Sequence, residues 1–126
     1  MMSRRFSAFV FTVLFMLPAV SSTAQSANAP YERQLLRLAE VLGSIHYLRN
    51  VCGEKGNQWR EQMEELLATE NPSPERRAKL VASFNHGYRS FQSTYTHCTA
   101  SAVEAIQRYM KEGETLTSEI ASRYGN

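Results

Sequence analysis

The sequence predicts an all-α protein, a compact bundle of about four helices read as two helical hairpins and stapled by one disulfide. Three observations carry this. Apolar residues return every three or four positions in separate stretches, and no stretch alternates in the way a strand does. The chain holds two cysteines, Cys52 and Cys98, each closing a long helical stretch.

An export signal precedes the helices. Arg4 and Arg5 lead into an apolar run from Phe6 to Val20, and Ser22 and Ala24 put small side chains where signal peptidase admits only small ones. Cleavage is expected after Ala24, so that residues 1–24 leave, 25–30 form a short lead and 31–126 make one helical domain. A cut after Ala29 would place Pro30 directly behind the scissile bond. An uncleaved membrane anchor is the other alternative, against which the run is shorter than the ~20 residues that span a bilayer and Pro18 interrupts its end.

The first helix is expected from about Tyr31 to Val51, with Leu35, Leu38, Leu42, Ile45 and Leu48 on one face and Pro30 in the first turn. A second patch of Leu36, Ala39 and Gly43 offers another helix a close approach, unless Gly43 is merely tolerated. The second helix is read from Gln58 to Thr69, with Asn57 as its cap and Trp59, Met63, Leu66 and Leu67 on its apolar face. Asn71, Pro72, Ser73 and Pro74 then break the pattern. Ser73 caps the third helix, Pro74 sits in its first turn, and its stripe runs through Leu80, Phe84, Gly87, Tyr88, Phe91, Tyr95 and Cys98. The polar, β-branched stretch from Thr94 to Thr99 ends it. Thr99 or Ser101 caps the fourth helix, Ser101 with Glu104 at capping-box spacing, and Gly113 is a candidate break within it.

In an exported domain an even cysteine count reads as a structural bond, here Cys52 to Cys98, with a bond between two chains as the alternative. Closing a loop of about 47 residues stabilises the fold by on the order of 4 kcal/mol in the chain-entropy model. In an up-down-up-down bundle the first and third helices run parallel and bring both cysteines to one end. The short connection between the second and third helices also brings Glu64 and Glu65 toward Arg76, Arg77 and Lys79, as candidate surface pairs, with a solvated polar surface as the default.

Charge narrows the function classes. The excess of two basic residues is the excess carried by Arg4 and Arg5, so the mature chain is formally neutral and has no basic-patch case for nucleic acid or anionic lipid. All 12 acids are Glu. No Cys-x-x-Cys pair, haem attachment, zinc spacing, phosphate-cradling glycine loop or nucleophile elbow occurs. His46, His86 and His97 are the acid-base candidates; on one helix the last two would stand about 16 Å apart, too far to share a metal. Surface or satisfied interior roles are expected for all three. Met63 and Met110 with a histidine could ligate a haem, but methionine at helical spacing is core filling. No catalytic residue, metal or cofactor is expected.

The candidate interaction surface is Asn85, His86 and Arg89, which project away from the apolar face of the third helix, Arg89 being suited to a carboxylate. An ordinary polar helix face is the plainer alternative.

The runs Leu35-Leu36-Arg37-Leu38-Ala39-Glu40-Val41-Leu42-Gly43, His46-Tyr47-Leu48-Arg49 with Cys52-Gly53, Phe84-Asn85 with Gly87-Tyr88-Arg89, and the ending Arg123-Tyr124-Gly125-Asn126 resemble a family of small exported alphaproteobacterial proteins whose domain has no assigned function. The resemblance implies a periplasmic setting and says nothing about catalysis. The leading expectation is a non-enzymatic periplasmic adaptor or modulator that binds another envelope protein through a helical face, with neither nucleic acid nor stable membrane insertion after signal cleavage. A small-ligand or metal-binding carrier using the bundle interior is the alternative, and a cell-wall enzyme with no identifiable nucleophile the third. Mass spectrometry of the exported protein, isolated without reduction, is expected to give a chain beginning at Gln25 and two hydrogens short of its dithiol mass; a chain retaining Arg4 and Arg5, or one with free thiols, would refute the signal or the bond.

Overall fold

The computed structural model describes residues 24–125, so the signal expected over 1–24 lies outside the described residues except for Ala24. Four helices follow one another: α1 (Ala24–Val51), α2 (Gln58–Glu70), α3 (Pro74–Ser90) and α4 (Ala100–Tyr124). Among the described residues there is no strand, and no helix is long and apolar enough to cross a membrane. The all-α bundle with one disulfide is the architecture the periodicity predicts.

Helix α1 is the axis. It packs against α2, α3 and α4, whereas α3 and α4 have no pair of Cα atoms within 8 Å of each other. Its pairings give the directions: Glu32 meets Arg76 and Tyr47 meets Tyr88, so α3 runs parallel to α1, while Tyr31 meets Tyr124 and Arg37 meets Glu112, so α4 runs antiparallel. Because neighbours lie on several sides, every residue from Val41 to His46 is buried. Leu35, Leu38, Leu42 and Ile45 meet Trp59, Met63 and Leu67 of α2 and Leu80 and Phe84 of α3 in the main core. Leu48 joins Ala102, Ala105 and Ile106 of α4 in a second cluster.

The α1–α3 crossing is a backbone contact. A Cβ added to Gly43 would lie 1.9 Å from the Phe84 carbonyl oxygen, and one added to Gly87 would lie 2.0 Å from the Glu40 carbonyl oxygen. The contact is reciprocal, each glycine Cα–H direction facing a carbonyl of the other helix. Of the two readings open for Gly43, close helix approach is the one the structure takes.

Helix boundaries differ from the periodicity in ways that have local causes. Helix α1 begins at Ala24, so residues 25–30 are helical and Pro30 lies inside the helix. Proline keeps a helical φ there and forgoes one backbone hydrogen bond. Helix α3 stops at Ser90, well before Thr94, and the Thr94 and Tyr95 amides turn back to the Phe91 carbonyl. The apolar spacing of Phe91 and Tyr95 is therefore carried by a loop, in which the Ser-, Gln- and Thr-rich sequence competes with helical hydrogen bonding. Cys98 accordingly sits in that loop rather than at the end of a helix. Its bond to Cys52, with Cα atoms 4.6 Å apart, ties the loop to the end of α1, and the Tyr47 hydroxyl donates to the Tyr95 carbonyl at 2.5 Å beside it.

Thr99, not Ser101, caps α4, accepting from the Ala102 amide at 3.1 Å. Gly113 does not divide that helix. Ser73 caps α3 and Pro74 opens it as expected, whereas Asn57 occupies the cap position of α2 without a side-chain cap bond.

Three glycine substitutions separate close approach from mere tolerance. Gly43→Ala and Gly87→Ala must push two helices apart and are expected to cost at least about 2 kcal/mol each, near the upper range of overpacking. At Gly113 an added Cβ would meet Val41 Cγ1 at an ordinary 3.4 Å. Gly113→Ala is therefore expected to be neutral or stabilising by up to about 1 kcal/mol, from helix propensity alone. Denaturant unfolding of the three variants decides; equal effects would refute the backbone contact.

A cationic cleft between helices α2 and α3

Helices α2 and α3 are joined by the short turn at Asn71, Pro72 and Ser73. Arg76, in the first turn of α3, ties the helices at this end. It pairs with Glu32 at 2.5 Å and Glu70 at 2.9 Å, and the Tyr31 hydroxyl donates to the same Glu70. Burial, then the hydrogen bond to Glu70, pushes the Tyr31 phenol up to about 12. Among the described residues Glu64 and Glu65 form no ion pair, so of the two readings open for them the structure takes the solvated polar surface over pairing with Arg76, Arg77 or Lys79. Glu70 takes Arg76 because it lies at the turn, whereas Glu64 stands about 9 Å further along α2 at 1.5 Å per residue.

Beyond this tie the two helices leave a cleft of about 490 Å³ with α1 at its base. Met63 and Leu67 of α2 and Val81 and Phe84 of α3 supply apolar lining, and Asn85, Tyr88 and Gln92 add polar groups. Three arginines line it: Arg60 from α2, and Arg77 and Arg89 from α3. All three are exposed, and among the described residues none makes an ion pair, in contrast to Arg37, Arg49 and Arg76. Glu64 is the acid in the lining.

His46 forms the base. It is 7% exposed, its ring lies 5.5 Å from Tyr88 and 6.0 Å from Phe84, and its Nδ1 is buried without a protein hydrogen-bond partner. The expectation of a surface or satisfied histidine is thus corrected for this residue: Phe84 and Tyr88 enclose it with rings and give Nδ1 no hydrogen-bond partner. Burial, and then the Arg60 charge, hold its imidazole below the ordinary 6.5, with Glu54 pulling the other way.

The residues expected as an interaction surface divide. Asn85 and Arg89 line the cleft, separated by one helical turn. His86 turns to the other side of α3, where its side chain is 72% exposed and Nε2 stands 3.9 Å from Glu40. His97 is exposed in the α3–α4 loop. Met63 lines the cleft near His46, while Met110 lines a separate groove with Leu38, Leu42, Trp59 and Leu66. Arg60, Arg77 and Gln92 line the cleft without belonging to an apolar stripe, whereas Tyr88 belongs to the stripe of α3. For Arg77 and Gln92 a sequence signal exists in the steps of three and four linking Arg77, Val81, Asn85, Tyr88 and Gln92, a stripe beside the core face; Arg60, on α2, has none.

Fold and site together define a small disulfide-stapled helical protein with an open cationic cleft on one face. The chain belongs to the family described as "Protein of unknown function (DUF2385)", whose model matches residues 30–124. No curated protein and no solved structure matches it.

The buried imidazole sets a pH dependence. With the folded-state value below 6.5, the unfolded chain takes up its proton first as pH falls. Stability is full above that value, declines as pH drops through it and levels off below the folded value. Denaturant unfolding between about pH 8 and pH 5 is expected to show this decline in the native protein and a shallower one in His46→Leu. Identical slopes would refute the depressed imidazole.

Proposed function

We propose that this protein is a non-enzymatic adaptor or modulator of the periplasm that binds another envelope protein through its α2–α3 face. The observation that carries the reading is the convergence of Arg60, Arg77 and Arg89 on one open cleft without intramolecular acid partners. Arginine is a residue of interfaces because its planar, weakly hydrated head gives up water readily and grips carboxylates with two hydrogen bonds. Polar Asn85 and Gln92 and the ring of Tyr88 complete a surface of the composition that partners bury.

Export is supported by Arg4 and Arg5 ahead of the apolar run and by a cysteine bond of the kind oxidising compartments preserve. A small-ligand carrier draws less support, since such a carrier holds its ligand in the bundle interior and this cleft opens at the surface.

A photocrosslinking residue placed at Arg89 tests the reading in the cells that make the protein, with the same residue at exposed Arg108 of α4 as control. A discrete polypeptide adduct from position 89 and none from position 108 is expected. No adduct at 89, or the same adduct at both positions, would overturn the proposal.

A further inference from the structure

The partner-binding reading leaves open what the cleft takes from its partner, and the placement of its charges narrows the answer. Arg77 and Arg89 lie twelve residues apart on α3, which separates their Cα atoms by about 18 Å along the helix. Arg60 lies in the first turn of α2, which runs antiparallel to α3 with Glu70 at the Arg76 end, so Arg60 stands at the Arg89 end of the cleft. The cations are thus split, two at one end and one at the other. Between them lie Met63, Leu67, Val81 and Phe84, with Asn85 on the α3 wall and Gln92 just past the end of α3, beyond Arg89.

A single small anion would satisfy only one end of this arrangement. A stretch of extended chain advances about 3.3 Å per residue, so five residues set their outer Cα atoms about 13 Å apart, and long acidic and arginine side chains span the remainder. The floor accepts apolar side chains where the cations stop, and the side-chain amides of Asn85 and Gln92 can both donate to and accept from a peptide backbone. Glu64 in the same lining disfavours a ligand of uniform negative charge.

We propose that the cleft binds an extended peptide segment with carboxylates near both ends and apolar side chains between them. One carboxylate is held by Arg60 and Arg89, the other by Arg77. This rests on the partner-binding reading and adds the chemistry of the partner segment.

The test uses the disulfide-bonded, isotopically labelled protein and three probes followed by NMR: a capped pentapeptide Glu-Leu-Ala-Val-Glu, its counterpart with Gln for both Glu, and inorganic phosphate. The Glu peptide is expected to shift the side-chain amides of Asn85 and Gln92, and the Gln peptide to bind at least about tenfold more weakly. Arg60→Gln, Arg77→Gln and Arg89→Gln should each weaken the Glu peptide about threefold or more, with unfolding midpoints unchanged because all three side chains are exposed. Equal binding of the two peptides, shifts that map away from the cleft, or phosphate binding as tightly as the Glu peptide would overturn the proposal. Failure here beside a specific adduct from position 89 would remove the peptide chemistry and leave the adaptor; loss of that adduct would remove the adaptor itself.

Discussion

At the crossing of α1 and α3 the two backbones touch, Gly43 against the Phe84 carbonyl and Gly87 against the Glu40 carbonyl. Any side chain at either position would have to displace a carbonyl group of a hydrogen-bonded helix, which cannot rotate away as a side chain would. The crossing therefore sets how far α3 stands from α1. Helices normally keep 8–10 Å between axes, according to the size of the side chains at the contact. A backbone contact draws α3 in and carries its flanking residues, Leu80 and Phe84, into the core with Leu35 and Leu38. It also carries Tyr88 over His46, and so forms the base of the cleft.

With α3 held this closely, α1 has neighbours on several sides and loses the division into a wet and a dry face that a surface helix keeps. Leu35, Ala39, Val41, Ser44, Ile45 and Leu48 are all at most 2% exposed although they point in several directions. The buried Ser44 hydroxyl is satisfied within its own helix by donating to the Glu40 carbonyl at 3.0 Å. His46, on the same buried stretch, finds no such partner for Nδ1, and the cost of burial falls on the charged form of the ring. Helix α4 is held to α1 by a different device, a two-bond pairing of the Arg37 guanidinium with Glu112 at 2.6 and 2.9 Å.

The bundle is fastened differently at its two ends. Where α1 finishes, the Cys52–Cys98 bond holds the α3–α4 loop, which has little regular hydrogen bonding of its own. Where α1 begins to pack, Tyr31, Glu32, Glu70 and Arg76 join three helices through one guanidinium. Arg76 can do this because it stands at the turn, and its acid partners leave Arg60, Arg77 and Arg89 uncompensated. The cleft is thus a product of where the fold places its carboxylates as much as of where it places its arginines.

What the sequence by itself determined is the local structure: four helical stretches, the Ser73 cap, and two cysteines suited to one bond. Each follows from the spacing of apolar residues or from a side chain that reaches its own backbone, and such interactions are complete within a few residues. The tertiary structure alone decided that Gly43 and Gly87 are contact points, that the Phe91 and Tyr95 spacing belongs to a loop, and that Asn85 and Arg89 share a cleft from which His86 is turned away. These depend on residues of α1 and α2 more than twenty positions distant. Arg60 shows the reason most plainly: on its own helix it is one more exposed cation, and only the antiparallel return of α2 past α3 places it beside Arg89.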